Sequence, residues 1–99
     1  MTQAVETEAR VSVRIPTVLR KFTDNSAEVS VAGGTVLSAI RDLTSKYRSL
    51  ESHLFDAEGS LRSFVNIYVN DEDVRYLDGY DTVLKEGDQL AIIPAVAGG

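Results

Sequence analysis

Apolar and polar positions alternate in several short runs along this chain, and one longer stretch switches to a helical period. Val11, Val13 and Ile15 alternate with Ser12 and Arg14, the period-two pattern of a half-buried strand that ends at Pro16. After the polar Thr23-Asp24-Asn25-Ser26 loop, Ala27, Val29 and Val31 define one face of a second strand, and the two strands are expected to form a hairpin. Gly33-Gly34 breaks the alternation. Thr35 then N-caps a predicted helix whose Val36, Leu37, Ile40, Leu43 and Tyr47 fall on one stripe. Position 38 is Ser rather than Glu, so a complete capping box is not expected. Leu50, Leu54 and Phe55 predict one or two further helical turns, and Asp56 to Ser60 a loop.

Phe64 to Val69 is the most strand-like run, with Val65, Ile67 and Val69 on one face. Asn70-Asp71-Glu72-Asp73 has turn chemistry and Val74-Arg75-Tyr76 is expected to return as a short strand. Thr82 to Leu84 leads into a turn at Lys85-Glu86-Gly87-Asp88. Leu90 to Ile93 is the last strand, expected to be stopped by Pro94. Two strands, a helix and three strands of this kind predict an α+β fold, a β-grasp roll in which one main helix crosses a mixed sheet of four to five strands. The expected organisation is a flexible extension over residues 1–9, a domain over 10–94 and a flexible tail over 95–99.

Composition narrows the chemistry. The chain has 99 residues, enough for one modest core, with 43% hydrophobic and 25% charged residues, a globular balance. It has no cysteine, so disulfides, thiolate metal ligands and cysteine nucleophiles are excluded, and its single histidine, His53, makes a zinc site an unfavoured reading. The formal charge is −5 with Lys and Arg scattered, which argues against nucleic-acid binding. The opening residues hold Glu6 and Glu8 and no apolar run, and no stretch is long enough to span a bilayer, so a cytoplasmic protein without membrane partners is expected.

The candidate chemistry lies at the end of the chain. Beyond Pro94 the sequence runs Ala95-Val96-Ala97-Gly98-Gly99, a narrow uncharged tail suited to threading into a partner's active site. Without Cβ atoms, Gly98 and Gly99 can approach another protein's catalytic groups where a side chain would clash. The carboxylate of Gly99 is a poor electrophile and needs activation, typically as an acyl adenylate. The chain has no phosphate-binding glycine loop and no nucleophile of its own for this step, so it is expected to be a substrate of partner enzymes rather than an enzyme, with no cofactor bound and ATP used by the partner.

The stretch Asp81-Thr82-Val83-Leu84-Lys85-Glu86-Gly87-Asp88-Gln89-Leu90-Ala91-Ile92-Ile93-Pro94, leading to Gly98-Gly99, resembles the ending of the bacterial ubiquitin-like sulfur carriers, a family that includes the thiamine-pathway carrier and the small subunit of molybdopterin synthase. Phe64 to Arg75, Pro94 to Gly99, and Ile15-Pro16-Thr17 with Leu19-Arg20 are most similar to its actinobacterial cysteine-biosynthesis branch. Pro94-Ala95, where many molybdopterin-type members have Pro-Pro, leans the same way. The resemblance implies adenylation of Gly99 by an enzyme similar to ubiquitin-activating enzymes, replacement of AMP by sulfur, and donation from the thiocarboxylate. The acceptor would be held by a partner synthase, either a pyridoxal-phosphate cysteine synthase or one that makes a thiosugar, thiamine or molybdopterin; in the cysteine route a metalloprotease would release the product. It also implies a partner-facing surface that includes Ile93 and Pro94. The alternatives are a permanent small subunit of molybdopterin synthase, a ubiquitin-like protein modifier, and a binding domain whose Gly-Gly is incidental.

Other features are given plain readings. His53 is expected at the surface, Asp71-Glu72-Asp73 as a solvated hairpin turn rather than a catalytic or calcium-binding cluster, and Phe64, Tyr68, Tyr76 and Tyr80 as sheet packing rather than a base-stacking platform. Gly33-Gly34 is read as a turn and cap, and Lys21, Lys46 and Lys85 as isolated surface lysines.

Overall fold

The computed structural model describes residues 9–62 and 65–94. In chain order the elements are β1 (Ala9–Arg14), β2 (Glu28–Gly33), α1 (Val36–Lys46), the single-turn α2 (Glu51–Leu54), β3 (Val65–Val69), β4 (Glu72–Asp73) and β5 (Gln89–Pro94), with 3-10 turns between them. The strands form one mixed sheet in the order β2-β1-β5-β3-β4. β1 and β2 are antiparallel from Ala9↔Gly33 to Arg14↔Glu28. β5 lies in the centre, parallel to β1 and antiparallel to β3.

The alternation seen in the sequence becomes a single buried face. Val11 and Val13, Val29 and Val31, Val65, Ile67 and Val69, and Leu90 and Ile92 point to the same side, where Val36, Ala39, Ile40 and Leu43 of α1 cover them. Leu50, Leu54 and Phe55 are buried in the same core from the further helical turns that their spacing implied. The other face of the sheet has no helix across it among the described residues.

Several local expectations are corrected. The β1–β2 connection is longer than a polar loop, because Thr17–Phe22 forms a 3-10 helix before the turn. Thr23 is fully buried there, its hydroxyl 3.2 Å from the Arg20 carbonyl and 3.0 Å from that of Ser26. Ala27 is exposed instead of sharing the core face of β2. The capping box of α1 is complete despite the lack of Glu: Ser38 N donates to Thr35 Oγ1 at 3.2 Å, and Thr35 N donates to Ser38 Oγ at 3.0 Å. A serine hydroxyl is long enough when the N-cap backbone lies this close.

The hairpin after β3 turns on Asn70 and Asp71, both with positive φ, a two-residue turn whose twist suits the strands. The returning strand is Glu72–Asp73, starting two residues earlier than expected. Val74–Tyr76 winds instead into a 3-10 turn capped by Asp73, whose Oδ1 accepts from Arg75 N at 2.9 Å. Pro94 does not stop β5; it is its last residue, opposite Val65. Phe64, the first residue expected in β3, lies outside the described residues, as does the tail Ala95 to Gly99.

Candidate functional site

The candidate site is the end of the sheet at which β5 leaves it. Because β1 and β5 are parallel, Arg14, Ile15 and Pro16 lie at the same end as Ile93 and Pro94. The register explains why β1 stops accompanying β5 there. Ser12 N donates to Asp88 O, and the pairings Val13↔Leu90 and Arg14↔Ala91 carry the ladder forward with residues 12 and 14 as donors. The next donor from β1 would be residue 16 and the next donor from β5 residue 94. Both are proline and have no N–H. The ladder therefore ends on both sides at the same rung. Pro94 is tolerated as the last residue of a central strand because its nitrogen faces this vacated side, while Ile93 remains paired with Asn66 of β3.

Past that rung the strands part around an open groove of about 360 Å³, bordered by Arg14, Ile15, Pro16, Thr17 and Arg20 on one side and Ala91 to Pro94 on the other, with Asp71 also on its rim. Arg20 Nε donates to the Ile15 carbonyl at 3.0 Å, which ties the 3-10 helix down beside the end of β1. Val18 on that helix is 62% exposed and Ile93 is 44% exposed, so apolar side chains border both sides of the strand exit.

The helix-free face of the sheet continues from this end. The register aligns Glu28, Arg14, Ala91, Tyr68 and Asp73 in one row across it, with Ile93 and Asn66 in the row nearer the exit. Glu28 accepts from Gln89 Nε2 at 2.9 Å, and this hydrogen bond, aided by Ser12 and the Arg14 charge, holds its carboxyl below the usual range. A small apolar strip, Ala91 and Ile93, is thus flanked by one cation and fixed hydrogen-bonding groups. Such a surface can dock a protein. Among the described residues no group of three His, Cys, Asp or Glu side chains is gathered as a metal site.

Of the residues singled out in the sequence, Ile93 and Pro94 meet at the exit; Ala95, Val96, Ala97, Gly98 and Gly99 lie outside the described residues. Arg14, Val18 and Arg20 were not anticipated as part of this end. The only sequence signal for them was the apolar Val18-Leu19 pair between Pro16 and Thr23, too short to give a period. His53 is exposed on α2, its ring centroid 4.2 Å from that of Phe22. Asp73 departs from the solvated-turn reading: it is buried and held by Arg75 through Nη2 at 2.6 Å and Nε at 3.1 Å. Tyr76 does not pack on the sheet but is 80% exposed.

A mixed five-stranded sheet with its C-terminal strand in the centre and a helix across one face is the β-grasp fold of ubiquitin-like proteins. Within that class the ThiS family profile matches residues 13–99, and the chain belongs to this family. It is 47% identical over 91 residues to the sulfur carrier protein CysO of Mycobacterium tuberculosis, covering 90% of this chain and 98% of that one. Among solved structures, it is similar to small archaeal modifier protein 1 from Methanosarcina acetivorans, with a TM-score of 0.84 and 32% identity over 93% of this chain and 98% of that one. The CysO complex with BexX from Amycolatopsis orientalis gives a TM-score of 0.80 and 46% identity over 90% and 99% of the two chains.

Proposed function

We propose that this chain is a sulfur carrier whose working group is the carboxylate of Gly99. An activating enzyme related to the ubiquitin-activating enzymes takes up the carrier, and the Gly99 carboxylate attacks the α-phosphorus of ATP, releasing pyrophosphate. A sulfur nucleophile then displaces AMP to leave a thiocarboxylate. This sulfur is ionised at neutral pH and attacks an electrophile held by a second enzyme. The carrier is a cosubstrate and supplies no catalytic group.

The observation that carries the reading is the exit of β5. A central strand has neighbours on both sides, yet here the rung beyond Arg14↔Ala91 is blocked by two prolines, which favours residues 95–99 as a tail that extends into a partner. Ile93, Val18 and the flanking Arg14 then form the surface that a partner would grip while the tail is threaded. On the same reading the N-terminal extension is residues 1–8 rather than the expected 1–9, because Ala9 already pairs with Gly33 in β1. Similarity to a sulfur carrier named CysO favours cysteine biosynthesis over a thiosugar, thiamine or molybdopterin, and we further propose a pyridoxal-phosphate synthase as acceptor enzyme, a metalloprotease to release the product, and a cytoplasmic setting.

The test is to incubate the full chain with an activating enzyme proven active on its own carrier, together with ATP and sulfide, alkylate the product and sequence the C-terminal peptide by mass spectrometry. An ATP-dependent alkyl label on Gly99 is expected, and without cysteine the chain has no competing thiol. No label, with the enzyme active in the same mixture, overturns the proposal. A second reading, a protein modifier, draws on the likeness to small archaeal modifier protein 1 and requires Gly-Gly remnants on lysines of other proteins.

A further inference from the structure

The exposed large apolar side chains among the described residues fall into two groups. Val18 and Ile93 belong to the strand exit. Tyr76, Leu77, Tyr80 and Val83 belong to the connection between β4 and β5, with exposures of 80%, 37%, 37% and 70%. This connection starts from β4, which pairs with the Tyr68-Val69 end of β3, about 13 Å along that strand from Val65 and the exit. It finishes at Val83, which bridges Thr35 beside the Gly33↔Ala9 end of the sheet, about 17 Å along β1 from Arg14. The second group therefore sits at the opposite end of the sheet from the strand exit at Pro94.

The segment is well anchored. Asp78 N donates to Thr82 Oγ1, Thr82 Oγ1 donates to Gly79 O at 2.7 Å, Val36 N donates to Thr82 O, and Leu84 N donates to Gly34 O. Buried Val74 and Leu84 hold its two ends to the core. The apolar side chains project from a fixed frame, which lowers the entropy cost of docking. Their combined exposed surface is on the order of a few hundred Å², the size at which patches mark binding sites.

Charge selects the occupant. Residues 72–81 carry Glu72, Asp73, Asp78 and Asp81 against the single cation Arg75, so this short stretch holds three of the five net negative charges of the chain. Arg75 is already neutralised by Asp73. Residues 1–8 have Glu6 and Glu8 and no Lys or Arg, the wrong sign to lie here. A second copy would bring the same negative patch and a net charge of −5.

We propose that Tyr76, Leu77, Tyr80 and Val83, carried on one acidic segment with the exposed Glu72, Asp78 and Asp81, form a second protein-docking surface for a basic partner segment in which Lys or Arg alternates with apolar side chains. The cations would meet the carboxylates and the exposed Tyr76 ring, and the apolar side chains would cover Leu77 and Val83. A partner bound here leaves the strand exit free, so it could hold the protein while the tail is engaged elsewhere. The surface does not depend on the carrier reading.

The test is a nuclear magnetic resonance titration of the isotope-labelled full chain with a short synthetic peptide alternating lysine and leucine, alongside lysine–serine and glutamate–leucine counterparts. Shifts from the lysine–leucine peptide alone, centred on residues 74–84, are expected. The double variant Tyr76→Ser, Val83→Ser should weaken binding roughly tenfold with its fold intact, since both side chains are solvent-exposed. Asp78→Asn with Asp81→Asn should flatten the salt dependence, and removal of residues 95–99 should change nothing. Equal binding of the lysine–serine peptide, shifts centred on Ile93 and Asn66, or self-association without peptide that the Tyr76 variant abolishes would each overturn the proposal.

Discussion

Gly33 is the position where one methyl group should cost most. It ends β2 opposite Ala9, with the first turn of α1 directly over it. A Cβ at this position would lie 2.5 Å from Ala39 N, 2.7 Å from Ala39 Cα and 2.8 Å from Ser38 Oγ. Carbon contacts are comfortable at about 3.5–4.0 Å, so α1 would have to retreat by roughly 1 Å, and two of the three obstructing atoms are backbone with no rotamer to change. That retreat loosens Val36, Ala39 and Ile40, all with no solvent exposure, and pulls on the reciprocal Thr35–Ser38 hydrogen bonds. Overpacking of this kind costs about 1–3 kcal/mol, and the backbone obstruction puts Gly33→Ala at the upper end. Alanine also restricts the unfolded chain, which offsets about 0.4–1 kcal/mol. A net loss of about 2 kcal/mol follows, or a fall in Tm of roughly 8–16 °C for a domain of this size. Urea denaturation followed by circular dichroism measures it, with the midpoint falling and the slope unchanged. Because Gly33 is at the end of the sheet away from Pro94, adenylation of Gly99 well below the unfolding midpoint should match that of the unaltered chain. A loss of less than about 0.5 kcal/mol would refute the claim that close approach, rather than turn formation, is the role of this glycine.

Thr35→Ala removes the Oγ1 that accepts from Ser38 N, one of the two hydrogen bonds of the capping box, and should cost about 1 kcal/mol in urea denaturation; no change would mean this bond contributes nothing. Hydrogen bonds from the Arg75 side chain, then its backbone N–H, hold the Asp73 carboxyl below the usual carboxylate range. Its stabilising effect is present above the unfolded value of about 3.9 and is lost as pH falls through the lower folded value, so Asp73→Asn should be less stable at neutral pH and the gap should narrow in acid. A gap independent of pH, read from urea midpoints, would refute this. Ile93→Asp introduces a charge on an exposed strand position beside the tail; it should leave the Tm nearly unchanged and lower kcat/KM for ATP-dependent pyrophosphate release by roughly tenfold, and an unchanged rate would remove Ile93 from the partner surface.

Strands and the main helix were legible because burial on one face leaves a period in the sequence. Val11-Val13-Ile15, Val65-Ile67-Val69 and Val36-Ile40-Leu43 each buried the face that their spacing indicated. What escaped were features fixed by contacts that have no period. Ser38 completes a capping box where Gly33, with no Cβ, lets β2 lie close against Ser38 and Ala39, a tertiary circumstance. Val74 looked like strand but follows Asp73, whose carboxylate accepts from the Arg75 N–H and turns the backbone into a 3-10 helix before a third β3–β4 residue pair can form. The exposed Tyr76 was read as packing because a lone aromatic in a short run carries no information about which side it faces.

The two prolines show how sequence and structure divide the functional argument. Each alone is ambiguous: Pro16 marks the end of a strand, and Pro94 reads as the stop of another. Only the parallel register, in which residues 16 and 94 are the successive donors of a single rung, reveals that they act together on one ladder. One proline would remove one hydrogen bond and leave the neighbouring carbonyl able to accept the other. Two of them remove both bonds that could extend the β1–β5 pairing, while Ile93↔Asn66 and Val65↔Pro94 keep β5 in place on its other side. The strand is thereby held firmly up to Pro94 and denied a partner from β1 beyond it. The proposed function calls for both properties: for residues 95–99 to enter another protein's active site, the strand before them has to be a rigid base and the β1 edge must not compete for them.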